Sequence, residues 1–230
     1  MSLKLAKNSG PSNIFNLVLL LTLAFFTGLM ARISAAYIPY NTDAGFLRIK
    51  QHYIPIDHWR VAFFVHVYTS IWALLAGFTQ FSKSLVKNRP EWHRRFGYVY
   101  VIDILFITGP AGLLMGFYAN GGISSRIAFV MLAVLWIFFT AMALYKAKKK
   151  DFKAHRRYMI RSYALTLSAI TLRAWKYAIS NSVELPPMDI YRVVAWLGWV
   201  INIIIAEYII RRSTFANKKN PPFLKEGSIK

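Results

Sequence analysis

Long apolar runs alternate with short polar turns along this chain. Six stretches, about 14–36, 61–81, 96–118, 127–145, 158–177 and 193–210, each carry close to the ~20 mostly apolar residues that a helix needs to cross a hydrocarbon core. Between them lie turn-forming runs such as Ala119-Asn120-Gly121-Gly122 and Leu185-Pro186-Pro187. The first stretch is longer than a signal-peptide core and lacks a small-x-small cleavage site, so it reads as a retained helix. The pattern predicts an all-α membrane protein: a six-helix bundle over 14–210, a short N-terminal segment at 1–13 and a basic tail at 211–230. No hydrophilic stretch is long enough for a second domain.

Composition supports the membrane reading. Of 230 residues 56% are apolar, 16% aromatic and only 17% charged, against roughly 25% charged in a soluble domain. That much apolar surface excludes disorder, and it excludes a soluble nucleic-acid binder despite the net charge of +20. The absence of cysteine removes disulfides, thiolate metal sites and a cysteine nucleophile. The 29 basic residues are unevenly spread. Counting from an inward N-terminus, 21 of them fall on one side, including Lys83, Lys87, Arg89, Arg94, Arg95 and the run from Lys146 to Arg161. The positive-inside rule then predicts both termini in the cytoplasm and a location in the cell's inner, or plasma, membrane. It also gives that face an attraction for anionic lipid headgroups of roughly 1 kcal/mol per well-placed cation.

Ionisable residues inside the spans are costly and are the first candidates for function. They are His66, Asp103, Arg161, Arg173 and Glu207, with Gln80 and Asn202 as uncharged companions. Asp103, Arg161 and Glu207 fall near the inner surface, where Arg161 with either acid makes a charge-balanced cluster. His66 and Arg173 fall in the outer half. His66, Ser70, Ala73, Gly77 and Gln80 share one stripe of the second span, and Ser162, Thr166, Ala169 and Arg173 share one of the fifth. Such stripes serve helix packing or line a polar cavity. If they face each other, His66 and Arg173 meet in one cavity with an anionic or carbonyl-bearing ligand between them. In the third span Gly109, Gly112 and Gly116 permit close approach, and Pro110 predicts a kink. Trp92-His93-Arg94-Arg95-Phe96 and Ala154-His155-Arg156-Arg157-Tyr158 repeat a His-Arg-Arg-aromatic entry to a helix, a pattern suited to an anion.

Several motifs together resemble a known family. They are His66…Gly77-Phe78-x-Gln80-Phe81, His93-Arg94-x-x-Gly97, Met115-x-x-Tyr118-Ala119-x-Gly121-Gly122, and His155-Arg156-x-x-Met159-x-Arg161-Ser162-Tyr163-Ala164-Leu165 ending at Leu172-Arg173. This string is similar to a bacterial family of multi-pass membrane proteins catalogued as a domain of unknown function, number 2306 in its series. The likeness covers about 56–177. It implies that His66, Gln80, His93, His155, Arg161 and Arg173 are the positions to test.

Three functions compete. The first is redox: a b-type haem, with iron held through His66, His93 or His155, or a quinone, with Arg173 and Gln80 beside it. The second is a proton-coupled transporter of a small molecule or lipid, with Asp103, His66 and Glu207 relaying protons. The third is a non-catalytic assembly or scaffold subunit, as a homo-oligomer or with another membrane protein. No G-x-S-x-G occurs to suggest a serine hydrolase.

Overall fold

A computed structural model describes residues 11–219. The expected N-terminal segment at 1–13 and the tail at 211–230 therefore lie partly outside the described residues.

The described chain is helical, with no strand. Helix α1 spans Pro11–Ala35, α2 Asp57–Gln80, α3 Lys83–Asn88, α4 Pro90–Ile102 and α5 Thr108–Phe117. Helix α6 spans Ile123–Lys148, α7 Phe152–Thr166, α8 Ser168–Ser182 and α9 Pro187–Lys219. Four helical segments among the described residues are long and apolar enough to cross a membrane: Asp57–Gly77, Pro90–Phe117, Ile123–Lys148 and Pro187–Thr214. Leu21–Ala35 is a shorter apolar helix.

The boundaries follow local chemistry. Proline opens α4 and α9, where its missing N–H costs nothing. Ser82 caps α3 through the Leu85 amide at 3.2 Å, and Asp151 caps α7 through the Ala154 amide at 3.1 Å. Gly121 and Gly122, both with φ near +80°, make the turn into α6.

Helices α4 and α5 form one rod broken by a π-helical turn, Asp103–Ile107. Two residues account for it. Pro110 cannot donate to the carbonyl four residues back. At Gly109 a Cβ would sit 2.1 Å from the Ile104 carbonyl oxygen, so only glycine admits the widened turn. The expected kink thus takes the form of a π-bulge one turn before the proline. The fifth apolar run is interrupted at Leu167, between α7 and α8. Just before it, the Thr166 hydroxyl back-bonds to the Ser162 carbonyl at 3.2 Å, a contact that loosens the helical ladder.

Two clusters make the core. The larger joins Ala73, Tyr100, Ile104, Trp136, Met159, Tyr163 and Trp199 from α2, α4, the π turn, α6, α7 and α9. The smaller is aromatic, with Tyr37, Leu47, Trp59, Phe63 and Phe64. Outward-facing side chains such as Leu21, Phe25, Phe106, Phe138 and Ile204 are exposed, as a lipid-facing surface requires.

Close helix approach depends on Gly77, where an added Cβ would lie 2.1 Å from Cε2 of the buried Tyr163 ring. Gly77→Ala should therefore lower the melting temperature in detergent by several degrees, corresponding to about 1–3 kcal/mol of overpacking. Gly28→Ala, which meets nothing within 4 Å, should leave it unchanged or slightly higher. Tryptophan fluorescence melts of the two variants check this.

Candidate functional site

The segment 36–56 folds over one end of the bundle. Two short 3-10 turns, Gly45–Ile49 and Gln51–Tyr53, carry it. Tyr37 pins it from both sides: its hydroxyl accepts from the Phe46 amide at 3.0 Å, and its carbonyl accepts from Tyr68 at 2.7 Å. Trp59 and Phe63 stack beneath it, with ring centroids 5.7 Å apart.

This fold buries a lysine. Lys50 is 1% exposed. Its ammonium donates to the Tyr118 carbonyl and stands 4.3 Å from the centre of the Tyr53 ring, a cation–π contact. Burial first, and the charge of Arg126 second, bring its pKa down to about 8.

Below Lys50 a cavity of about 450 Å³ opens between α1, α2, α5, α6, α8 and α9. Lys50, His66, Arg173 and Lys176 line it, with Ser70 and Tyr118 and the aromatic walls Trp59, Phe63 and Trp136. No aspartate or glutamate is among its described lining residues. An imidazole and three cations around an apolar chamber, unmatched by any carboxylate, form a receptor for an anionic or electron-rich polar group on an apolar body.

The geometry of His66 gives the site its chemical character. Its Nδ1 lies 3.0 Å from the Thr108 carbonyl oxygen. A carbonyl only accepts, so Nδ1 carries the proton and Nε2 keeps its lone pair. That nitrogen has no hydrogen-bond partner among the described residues. The ring packs against Gly112, where a Cβ would sit 3.0 Å from Cε1. Arg173 is anchored on its own helix, Nη1 donating to the Ala169 carbonyl at 2.6 Å, and is close enough for its charge to act on His66.

The family model described as Predicted membrane protein (DUF2306) matches residues 63–210. The chain belongs to this family. No curated protein and no solved structure matches it. The DUF2306 region begins three residues before His66 and includes Arg173 and Lys176, whereas Lys50 and the segment folded over the cavity precede it.

The remaining sequence candidates of this DUF2306 chain lie elsewhere. Arg161 pairs with Glu207 through two contacts, at 2.5 and 3.0 Å. Asp103 takes no part in that pair. It sits in the π turn, accepts from the Thr108 hydroxyl at 2.5 Å, and leaves Oδ2 buried without a partner. Thr108 also bonds Thr69 at 2.5 Å, and its carbonyl holds His66, so Asp103 is two links from the cavity imidazole. Gln80 donates to the His93 carbonyl at 3.4 Å. His155 donates from Nδ1 to the Ala143 carbonyl at 2.8 Å, while Nδ1 of His93 is buried without a partner. The His93 and His155 charges are near enough to interact, but neither ring lines the cavity. His58 bonds the Tyr118 hydroxyl at 2.7 Å and His52 leans on Tyr53, so neither supplies a second imidazole beside His66. Among the described residues no group of three metal-binding side chains is present.

Sequence reasoning missed Lys50 and Lys176 as cavity residues. A lysine flanked by Phe46 and Tyr53 in a loop rich in aromatics was the available signal for the first.

The lowered pKa of Lys50 has a measurable consequence. The ammonium is present below about pH 8 and lost above it, so binding of an anion should weaken as pH rises through that value. A permanently charged aryl sulfonate, titrated calorimetrically, should show this step in the wild type. Lys50→Met should bind more weakly below pH 8 and show no step there, and Lys50→Arg should keep its affinity beyond pH 9.

Proposed function

We propose that this chain is a six-span inner-membrane protein, with both termini in the cytoplasm, whose cavity holds a redox-active amphiphile of the quinol type. The observation that carries the reading is the free Nε2 of His66 in a chamber with three cations and no carboxylate. An unprotonated imidazole nitrogen accepts a proton from a quinol hydroxyl. Arg173, Lys176 and Lys50 then stabilise the phenolate oxygen left behind. Trp59, Phe63 and Trp136 supply faces for the ring.

A second reading rests on the same atom. Nε2 is the nitrogen that would ligate a haem iron, and the cations would suit the propionates. The described lining holds no second histidine, so the iron would have one protein ligand.

The count of six takes α1 and the α7–α8 pair as spans beside the four long apolar segments, and the orientation rests on the uneven spread of basic residues along the sequence. Cysteines placed singly at Ser84, Ser124 and Ser213 test it with an impermeant thiol reagent in intact cells. Only the Ser124 variant should label, and labelling at Ser84 or Ser213 instead would overturn the orientation.

His66→Ala and Arg173→Ala should each weaken binding of a short-chain benzoquinol about tenfold or more, equivalent to ~1.4 kcal/mol, while melting temperature stays within a few degrees. Wild-type affinity in both variants would sink the quinol reading. Oxidised and dithionite-reduced absorption spectra separate the alternatives: a Soret band that is lost in His66→Ala would favour haem.

A further inference from the structure

At the opposite end of the bundle, α6, α7 and α9 enclose a second opening, a groove of about 620 Å³. Its cations come from all three helices: Lys146 from α6, Arg157 and Arg161 from α7, and Arg211 from α9. Among the described residues Glu207 is the one carboxylate lining it, and its two oxygens are taken by Arg161. Lys146 has a loose partner in Asp151 at 3.9 Å. Among the described residues Arg157 reaches the Thr214 hydroxyl, at 3.3 Å, and no carboxylate, and Arg211 makes no ion-pair contact although its charge acts on Glu207. The groove therefore carries, among the described residues, four cations against the single Glu207 carboxylate, whose charge acts on Arg211 as well as Arg161, and this excess of positive charge suits an anion.

We propose that this groove binds the phosphodiester of an anionic glycerophospholipid, with Arg157 and Arg211 as its ligands. Guanidinium groups match phosphate oxygens in paired hydrogen bonds. The groove suits a lipid better than a free phosphate because it is amphipathic. Tyr158 and Ile210 form part of its wall, and one turn away on α9 Ile204, Ile205, Tyr208 and Ile209 are exposed apolar side chains along which acyl chains would lie. The site is separate from the cavity that contains His66 and shares no lining residue with it.

Native mass spectrometry of the full chain in detergent, titrated with phosphatidylglycerol or phosphatidylcholine, tests this. The wild type should retain one phosphatidylglycerol per chain about tenfold more tightly than phosphatidylcholine. Arg157→Ala/Arg211→Ala should lose that preference, whereas Lys87→Ala/Arg89→Ala, at exposed basic positions outside the groove, should keep it. Arg157→Gln/Arg211→Gln repeats the measurement with side-chain bulk retained, should the alanine pair melt early. Equal phosphatidylglycerol retention in the groove variants and the wild type would overturn the proposal. So would complete displacement of the lipid by millimolar inorganic phosphate, which would make the ligand a free anion.

Discussion

A chain of buried hydroxyl groups holds the centre of this bundle. The Tyr100 hydroxyl lies 2.8 Å from both Ser162 Oγ and Thr166 Oγ1. Thr140 bonds Ser162 at 2.7 Å, and the Trp136 indole donates to Thr166 at 3.0 Å. Tyr100, Thr140 and Ser162 are wholly inaccessible. With lipid rather than water around the helices, each of these groups must find its partner inside the protein. The network ties α4, α6 and α7 in one register, and the rest of the structure depends on it. Thr166 and Trp136 belong also to the cavity wall, so the bonds that lock the core fix one side of the candidate site.

A second constraint is the shortage of negative charge. Asp43, Asp57, Asp151, Asp189 and Glu207 are each committed to an ion pair with a nearby lysine or arginine. Asp103 faces a threonine in the π turn. None of these acids reaches Lys50, Arg173 or Lys176, which share a cavity with no carboxylate among its described lining. A carboxylate there would have relieved the charge at little geometric cost. Leaving it out gives the cavity a field suited to an electron-rich ligand. The cation at its top is held by backbone and ring instead, through the Tyr118 carbonyl and the face of Tyr53.

Much of the fold was legible in the chain. The apolar runs, their length and the polar turns between them required helices packed in a membrane, and the family match over 63–210 agrees. The stripes of small and polar residues were legible as well, because a helix repeats every 3.6 residues whatever surrounds it. His66 and Ser70 of one stripe, and Thr166, Ala169 and Arg173 of the other, line the same cavity. The partner of each charge was not legible. Asp103 and Glu207 are both short reaches from Arg161 on a straight-helix drawing. The π turn gives Asp103 a local partner in Thr108, and Glu207 alone meets the guanidinium.

By itself, then, the sequence determined properties that depend on local spacing and on composition: helices, their approximate ends, the apolar surface and the faces that carry polar groups. Only the tertiary structure decided which of those groups meet. Lys50 entered the cavity because segment 36–56 folds back over the bundle on Tyr37, a contact between distant parts of the chain. His93 and His155 stayed outside it although they share a motif, because both sit at the opposite end of their helices. Contacts of that kind are set by helix packing and by the search of each buried polar atom for a partner, and no periodicity along the chain encodes them.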